Sequence, residues 1–177
     1  MEIFRSLHYP NFRLHTIGQS LSLLGTWMQR IAISWLVYEL TNSVFWLGFV
    51  SFVSLSPSLF LSPFIGSFVD GRSKYRLVVW TQILLMIQAG VLALVVYFGW
   101  ETVIWLCVLG FIQGVINAFD VLGRQALLSS LIDNRKDLPN AIALNSSVFN
   151  AARMVGPAVG GILLSTYGEF VCFLMNF

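Results

Sequence analysis

Charge is what this sequence most lacks. Only 10% of its 177 residues are Asp, Glu, Lys or Arg, against roughly a quarter in a soluble domain. With 57% hydrophobic residues there is too little polar surface to cover a water-soluble globule, which excludes a cytosolic enzyme. The same composition excludes a disordered chain, which needs low hydrophobicity and high charge. A net charge of +2 is too small for a protein that grips nucleic acid by neutralising phosphates, so no nucleic-acid partner is expected. The two cysteines, Cys107 and Cys172, sit inside apolar stretches, and the two histidines, His8 and His15, precede the first of them. Neither a disulfide framework nor a metal site is expected from so few ligands. No phosphate-cradling loop, catalytic triad or metal spacing occurs, so ATP hydrolysis, covalent catalysis and a bound cofactor are not indicated.

Long apolar runs are what the sequence has in abundance. A bilayer-spanning helix needs about 20 mostly apolar residues. Such runs, with their flanks, give helices over residues 14–40, 44–69, 77–98, 102–122 and 139–167, and a sixth over 169–177 is still incomplete at the last residue. Spanning β-strands would alternate apolar and polar residues, whereas Val91-Leu92-Ala93-Leu94-Val95-Val96 does not. The fold class is therefore all-α, a polytopic membrane protein surrounded by lipid. The first run is too long for a secretory signal and no small-residue cleavage site follows it. Residues 1–12, with Phe4, Leu7 and Phe12 beside Arg5, are expected to lie at the membrane interface. Lys and Arg are retained on the cytoplasmic side of short loops. With the N-terminus inside, the inner segments hold Arg5, Arg13, Arg72, Lys74, Arg76, Arg124, Arg135 and Lys136, while the outer connections hold only Glu39, Glu101 and Glu169. Arg30 and Arg153 are the two basic residues left inside the spans.

Polar residues fall on helical stripes at about 100° per residue. The first helix aligns His15, Gln19, Ser22, Thr26, Gln29 and Arg30, opposite Leu21, Leu24, Trp27, Met28 and Trp35. The second aligns Ser51, Ser54, Ser58 and Ser62; the fourth aligns Gly110, Gln113, Asn117, Asp120 and Arg124; the fifth aligns Asn145, Ser146, Asn150, Arg153, Gly156 and Gly160. The third offers only Thr81, Gln82 and Gln88. Serines and glycines are accounted for by close helix packing. Full charges are not, because an Arg near the bilayer centre costs at least about 2.5–3.5 kcal/mol. A polar interior built from helices one, two, four and five, with helix three outside, is the layout of a transport pathway lined by Gln29, Arg30, Gln113, Asn117, Asn150 and Arg153. Pro63-Phe64-Ile65-Gly66 and Pro157-Ala158-Val159-Gly160 share a Pro-x-x-Gly pattern in helices two and five, as an inverted three-helix repeat would produce.

The loop after the second helix, Gly66-Ser67-Phe68-Val69-Asp70-Gly71-Arg72-Ser73-Lys74-Tyr75-Arg76, resembles the loop signature of the major facilitator superfamily at Gly66, Asp70 and Lys74. It departs from that signature at Gly71 and Ser73. Arg153 to Gly161, with Gly156, Pro157, Gly160 and Gly161, is similar to the helix-five motif of that superfamily's exporters and antiporters. Asn11-Phe12-Arg13, Gly25-Thr26-Trp27-Met28-Gln29, Asn117-Ala118-Phe119-Asp120 with Arg124-Gln125-Ala126, and Leu138-Pro139-Asn140-Ala141 resemble its enterobactin-exporter-like efflux group more closely. That group commonly has Pro-Ala where Leu122-Gly123 stand here. The resemblance implies the N-terminal half of a twelve-helix fold in a bacterial inner membrane, with a C-terminal six-helix half as partner. It implies efflux of a siderophore-like or drug-like small molecule, with protons as a coupling partner and no cofactor. Asp70, Lys74, Asp120 and Arg124 are expected to form one gating charge cluster at the cytoplasmic mouth. The alternative is a non-transporting membrane protein that needs a partner half.

Overall fold

A computed structural model describes residues 2–177, except for the side chains of residues 2–4, 67 and 70. A short 3-10 helix, Glu2–His8, precedes α1 (Pro10–Thr41), which opens with Pro10 in its first turn, where a missing N–H costs nothing. α2 (Val44–Asp70), α3 (Lys74–Tyr97) and α4 (Val103–Leu128) follow. A single 3-10 turn, Arg135–Asp137, leads into α5 (Leu138–Tyr167), and Gly168 alone separates α5 from α6 (Glu169–Asn176). Among the described residues there is no strand. The turns are tight for local reasons. Asn42 takes a left-handed conformation (φ 48°) to close α1, and Gly168 (φ 79°) permits the reversal into α6.

The helix expected over 102–122 runs six residues further, to Leu128. The extension carries Arg124 on the helix, in line with the stripe that aligns it with Asp120. Gly123 is buried against Leu77 and Val78, and Arg124 is bonded one turn back to Asp120. Four helices, α2 to α5, are long and apolar enough to cross a membrane. The first expected span is helical throughout but is not among them, although α1, at 32 residues, is about 48 Å long. Its polar arc lowers its apolarity, and that arc faces other helices. Large apolar side chains such as Phe45, Phe52, Phe60, Phe64, Ile104 and Ile162 are exposed.

α1 packs chiefly on α5 and α2 on α4; α3 packs on α4, α6 on α1, and α3 and α6 on each other. Exchanging the first three helices for the last three converts α1–α5 into α4–α2 and α3–α4 into α6–α1. The principal pairings are thus those of a three-helix repeat. The shared Pro-x-x-Gly pattern does not carry it, because Pro63 and Gly66 are exposed with open space at Gly66, whereas Gly160 packs against Met28. The main core joins Ile33, Leu36 and Val37 of α1 to Leu92, Leu106 and Phe173. A second cluster buries Phe12 completely against Leu128, Ile132 and Ala141, with Leu7 packed on it. The N-terminal segment therefore lies on protein at Leu7 and Phe12; the Phe4 side chain lies outside the described ones. Arg5 Nε meets Asp137 Oδ1 at 2.8 Å, the Tyr9 hydroxyl donates to Asp137 Oδ2 at 2.8 Å, and the Ser6 N–H donates to Asn140 Oδ1 at 3.0 Å.

Candidate functional site

Because α1, α2, α4 and α5 turn their polar arcs inward, a cavity of about 590 Å³ opens between them. α3 contributes little more than Leu85 to its wall. A smaller space of about 190 Å³ adjoins it between α1, α2 and α4, bounded by Ser51, Ser54 and Gln113, and Arg30 and Asn117 line both. Arg30, Asn117, Asn150 and Arg153 thus surround the larger cavity, while Gln113, itself buried, faces the smaller one.

At one end of the cavity Asp120 is buried in a closed network. The Thr81 hydroxyl donates to its Oδ1 at 2.6 Å and Gln82 Nε2 to the same oxygen at 2.9 Å. Arg124 Nε donates to Oδ2 at 2.7 Å, and Arg124 Nη2 reaches Ser22 Oγ at 3.2 Å. Ser22 in turn donates to Gln82 Oε1 at 2.8 Å. A buried ion pair is tolerable only when further hydrogen bonds satisfy both partners, and α1 and α3 supply them here. Of the expected four-residue charge cluster, one pair lies among the described side chains. Asp120 and Arg124 pair, but Lys74 makes no ion pair with a described residue, and the Asp70 side chain lies outside the described residues. Arg72 lies with its guanidinium carbon 4.0 Å from the Phe68 ring centre.

Gln29 departs from the expected pathway. It is fully buried and lines neither cavity, because its amide is consumed in a chain that crosses the bundle. Asn176 of α6 donates to Gln29 Oε1, Gln29 Nε2 donates to Gln88 Oε1 at 2.9 Å, and Gln88 Nε2 donates to the Leu109 carbonyl of α4 at 3.2 Å. Thr81, Gln82 and Gln88 of α3 thus all bond inward, to α4 or α1. They tie α3 to its neighbours and leave it outside the cavity, as the sequence implied.

Near the middle of α1, Trp27 occupies the cavity wall instead of the apolar face assigned to it. The guanidinium carbon of Arg30 lies 4.7 Å from its ring centre and that of Arg153 5.8 Å. Phe149 meets the same indole edge-on at 6.2 Å. The spacing from Trp27 to Arg30, one helical turn, is the sequence signal that could have identified this site.

The helix-five glycines explain how α5 comes so close. A methyl group at Gly156 would stand 2.5 Å from Trp27 Cβ and 3.3 Å from the Leu24 carbonyl, and one at Gly160 would stand 3.0 Å from Met28 Cα. Gly161 faces open space and takes no part in the contact, correcting its inclusion with the other two. α2 and α4 meet in the same manner, with Gly110 and Gly114 against Ser54 and Pro57.

A family model described as transmembrane secretion effector matches residues 3–177. The staphyloferrin A transporter of Staphylococcus aureus is 29% identical over 155 residues, which cover 87% of this chain and 39% of that protein. Macrolide efflux protein A of Streptococcus pyogenes is 25% identical over 164 residues, covering 90% of this chain and 40% of that protein. The chain spans about two-fifths of the length of these curated relatives. No solved structure matches it significantly. With helices built to lie in lipid, a polar cavity among them and a family match over almost every residue, the chain belongs to the transmembrane secretion effectors of the major facilitator superfamily.

Proposed function

We propose that this chain is the N-terminal half of a secondary transporter that exports a small molecule from the bacterial cytoplasm. A C-terminal six-helix half would close the cavity, and two bundles rocking about it would expose it to each side in turn. The observation that carries this reading is the 590 Å³ cavity, walled by amides and guanidiniums inside a bundle whose outer face is apolar. The names of the relatives, a staphyloferrin A transporter and a macrolide efflux protein, support a small-molecule cargo, and the second supports outward direction.

Protons are the proposed coupling ion, with Asp120, a carboxylate in the cavity wall, as the exchanging group. Gln113, Asn117 and Asn150 would line the pathway with Arg30 and Arg153, and Gly66, Asp70 and Lys74 would form the inner loop that the two bundles move against. The test is efflux by a complete homologue carrying these residues. Cells expressing it should accumulate less of its substrate, a protonophore should abolish the difference, and Asp120→Asn with normal membrane expression should do the same. Efflux that persists without a proton gradient would refute the coupling, and unchanged accumulation would refute transport. A second reading rests on the chain's coverage of its relatives: a membrane protein that transports nothing until a separate partner half joins it. Transport that appears only on co-expression with such a half would favour it.

A further inference from the structure

We infer that the cavity binds a multiply charged organic anion, gripped by Arg30 and Arg153 across the face of Trp27. This rests on the cavity being the transport pathway, and it specifies what that pathway accepts.

The charged residues in the wall are Arg30, Arg124, Arg153 and Asp120. Asp120 is already engaged by Arg124, Thr81 and Gln82, so the formal charge of the lining is +2 and resides on the other two arginines. Neither Arg30 nor Arg153 forms an ion pair with a described carboxylate. They come from different helices, yet both converge on one indole, within 4.7 and 5.8 Å of its centre. Two like charges held against one ring repel each other. The ring face offsets only part of that cost through the two cation–π contacts. A ligand with two or more negative charges would neutralise the remainder, and guanidiniums match carboxylates in a forked geometry.

The fold holds this arrangement in place. Trp27 is seated by its Cβ in the notch at Gly156 and braced edge-on by Phe149, so α1 and α5 fix the ring and bring the two arginines to it. Asn117 and Asn145 add amide donors around the same space, and Trp27 and Phe149 add an aromatic wall for the carbon skeleton. A compact polycarboxylate fits these donors, whereas a permanent cation would face two unneutralised charges.

The full chain, purified in a zwitterionic detergent, is titrated by calorimetry with citrate, with tetraphenylphosphonium and with neutral glycerol. Citrate should bind, raising salt should weaken it, and the two other probes should bind at least ten-fold more weakly. Arg30→Gln/Arg153→Gln should lose at least ten-fold in citrate affinity with helix content unchanged by circular dichroism. Arg30→Lys/Arg153→Lys should fall between, keeping charge but losing the fork. Tighter binding of the phosphonium ion than of citrate by the unaltered chain would overturn the inference without any variant, as would undiminished citrate binding in the folded Gln variant. Absence of citrate binding would overturn it too, while transport by the complete homologue would leave the export reading standing. Citrate binding that the Gln variant loses, beside a homologue that exports nothing, would retain the anion site and refute export.

Discussion

At the scale of single residues, Asp120 is the side chain whose loss should be felt most. It is buried, and three donors from α3 and α4 point at its two oxygens. Replacing it with Ala leaves the Arg124 guanidinium without its counter-charge, a change that typically costs about 3–5 kcal/mol for a buried pair. Thermal unfolding in detergent should register that loss, and Asp120→Ala/Arg124→Ala should cost less than the two single changes added together. Strict additivity would show that the pair is not coupled. A milder case is Tyr9, which lies ahead of the first helix. Its hydroxyl donates to Asp137, and that bond, together with desolvation and the carboxylate's charge, raises its pKa above the ordinary 10.0. The protonated phenol is the form the fold prefers. Its contribution is therefore fully present below pH 10 and disappears as pH rises through the raised value. Ultraviolet titration should show one tyrosine ionising late, and Asp137→Asn should bring it back toward 10. The same variant, by releasing Arg5, should speed tryptic cleavage there; equal cleavage rates would mean the clasp does not hold the N-terminal segment.

Between elements, the contact of α1 with α5 depends on having no side chain at two positions. Gly156→Ala and Gly160→Ala push a methyl group against Trp27 and Met28, and overpacking of this kind costs about 1–3 kcal/mol. Gly161→Ala meets nothing and removes a flexible residue from a helix, so it should be neutral or stabilising by up to about 1 kcal/mol. Melting temperatures of the three variants test this directly, and a Gly161 variant as damaged as the others would refute the packing account. In a complete homologue, Gly156→Leu should also abolish efflux by displacing Trp27. The glutamine chain across α6, α1, α3 and α4 makes a parallel case. Gln29→Leu would leave the Asn176 amide N–H and Gln88 Oε1 without their partners, and each unsatisfied buried group costs about 1–3 kcal/mol. The stripes on α1, α4 and α5 were legible in the sequence because helical period alone decides which residues share a face. The inward role of α3 was not, because three isolated polar residues form no stripe and only their partners reveal their use.

For the whole molecule, the distribution of Lys and Arg predicts that the N-terminus and the α2–α3 and α4–α5 loops share the cytoplasmic side. A membrane-impermeant thiol reagent on intact cells should therefore label a cysteine placed at Glu101 and spare one placed at Arg72. The reverse pattern would invert the proposed topology and with it the direction of transport. The pairing of α1 with α5 and of α2 with α4 bears on the same motion, since each pair brings a helix of one three-helix repeat against one of the other. The proposed rocking of an entire bundle requires such interlocked pairs to move as a unit.

Composition alone determined that this chain belongs in lipid. The sequence also determined that it crosses as helices, because a backbone without water must satisfy its own hydrogen bonds. It indicated where those helices lie to within a few residues, except where buried Gly123 and Arg124 carried α4 past its expected end. Only the tertiary structure decided which polar residues face one another and which face the cavity. Gln29 and Arg30 are adjacent in sequence, yet one closes a dry hydrogen-bond chain to α3 and α6 while the other opens onto the cavity beside Trp27. A helical wheel separates neighbours by about 100° but carries no information about which helix stands at each bearing. That is set by six helices packing at once, through the notches at Gly110, Gly114, Gly156 and Gly160 that let particular pairs approach and hold the others apart.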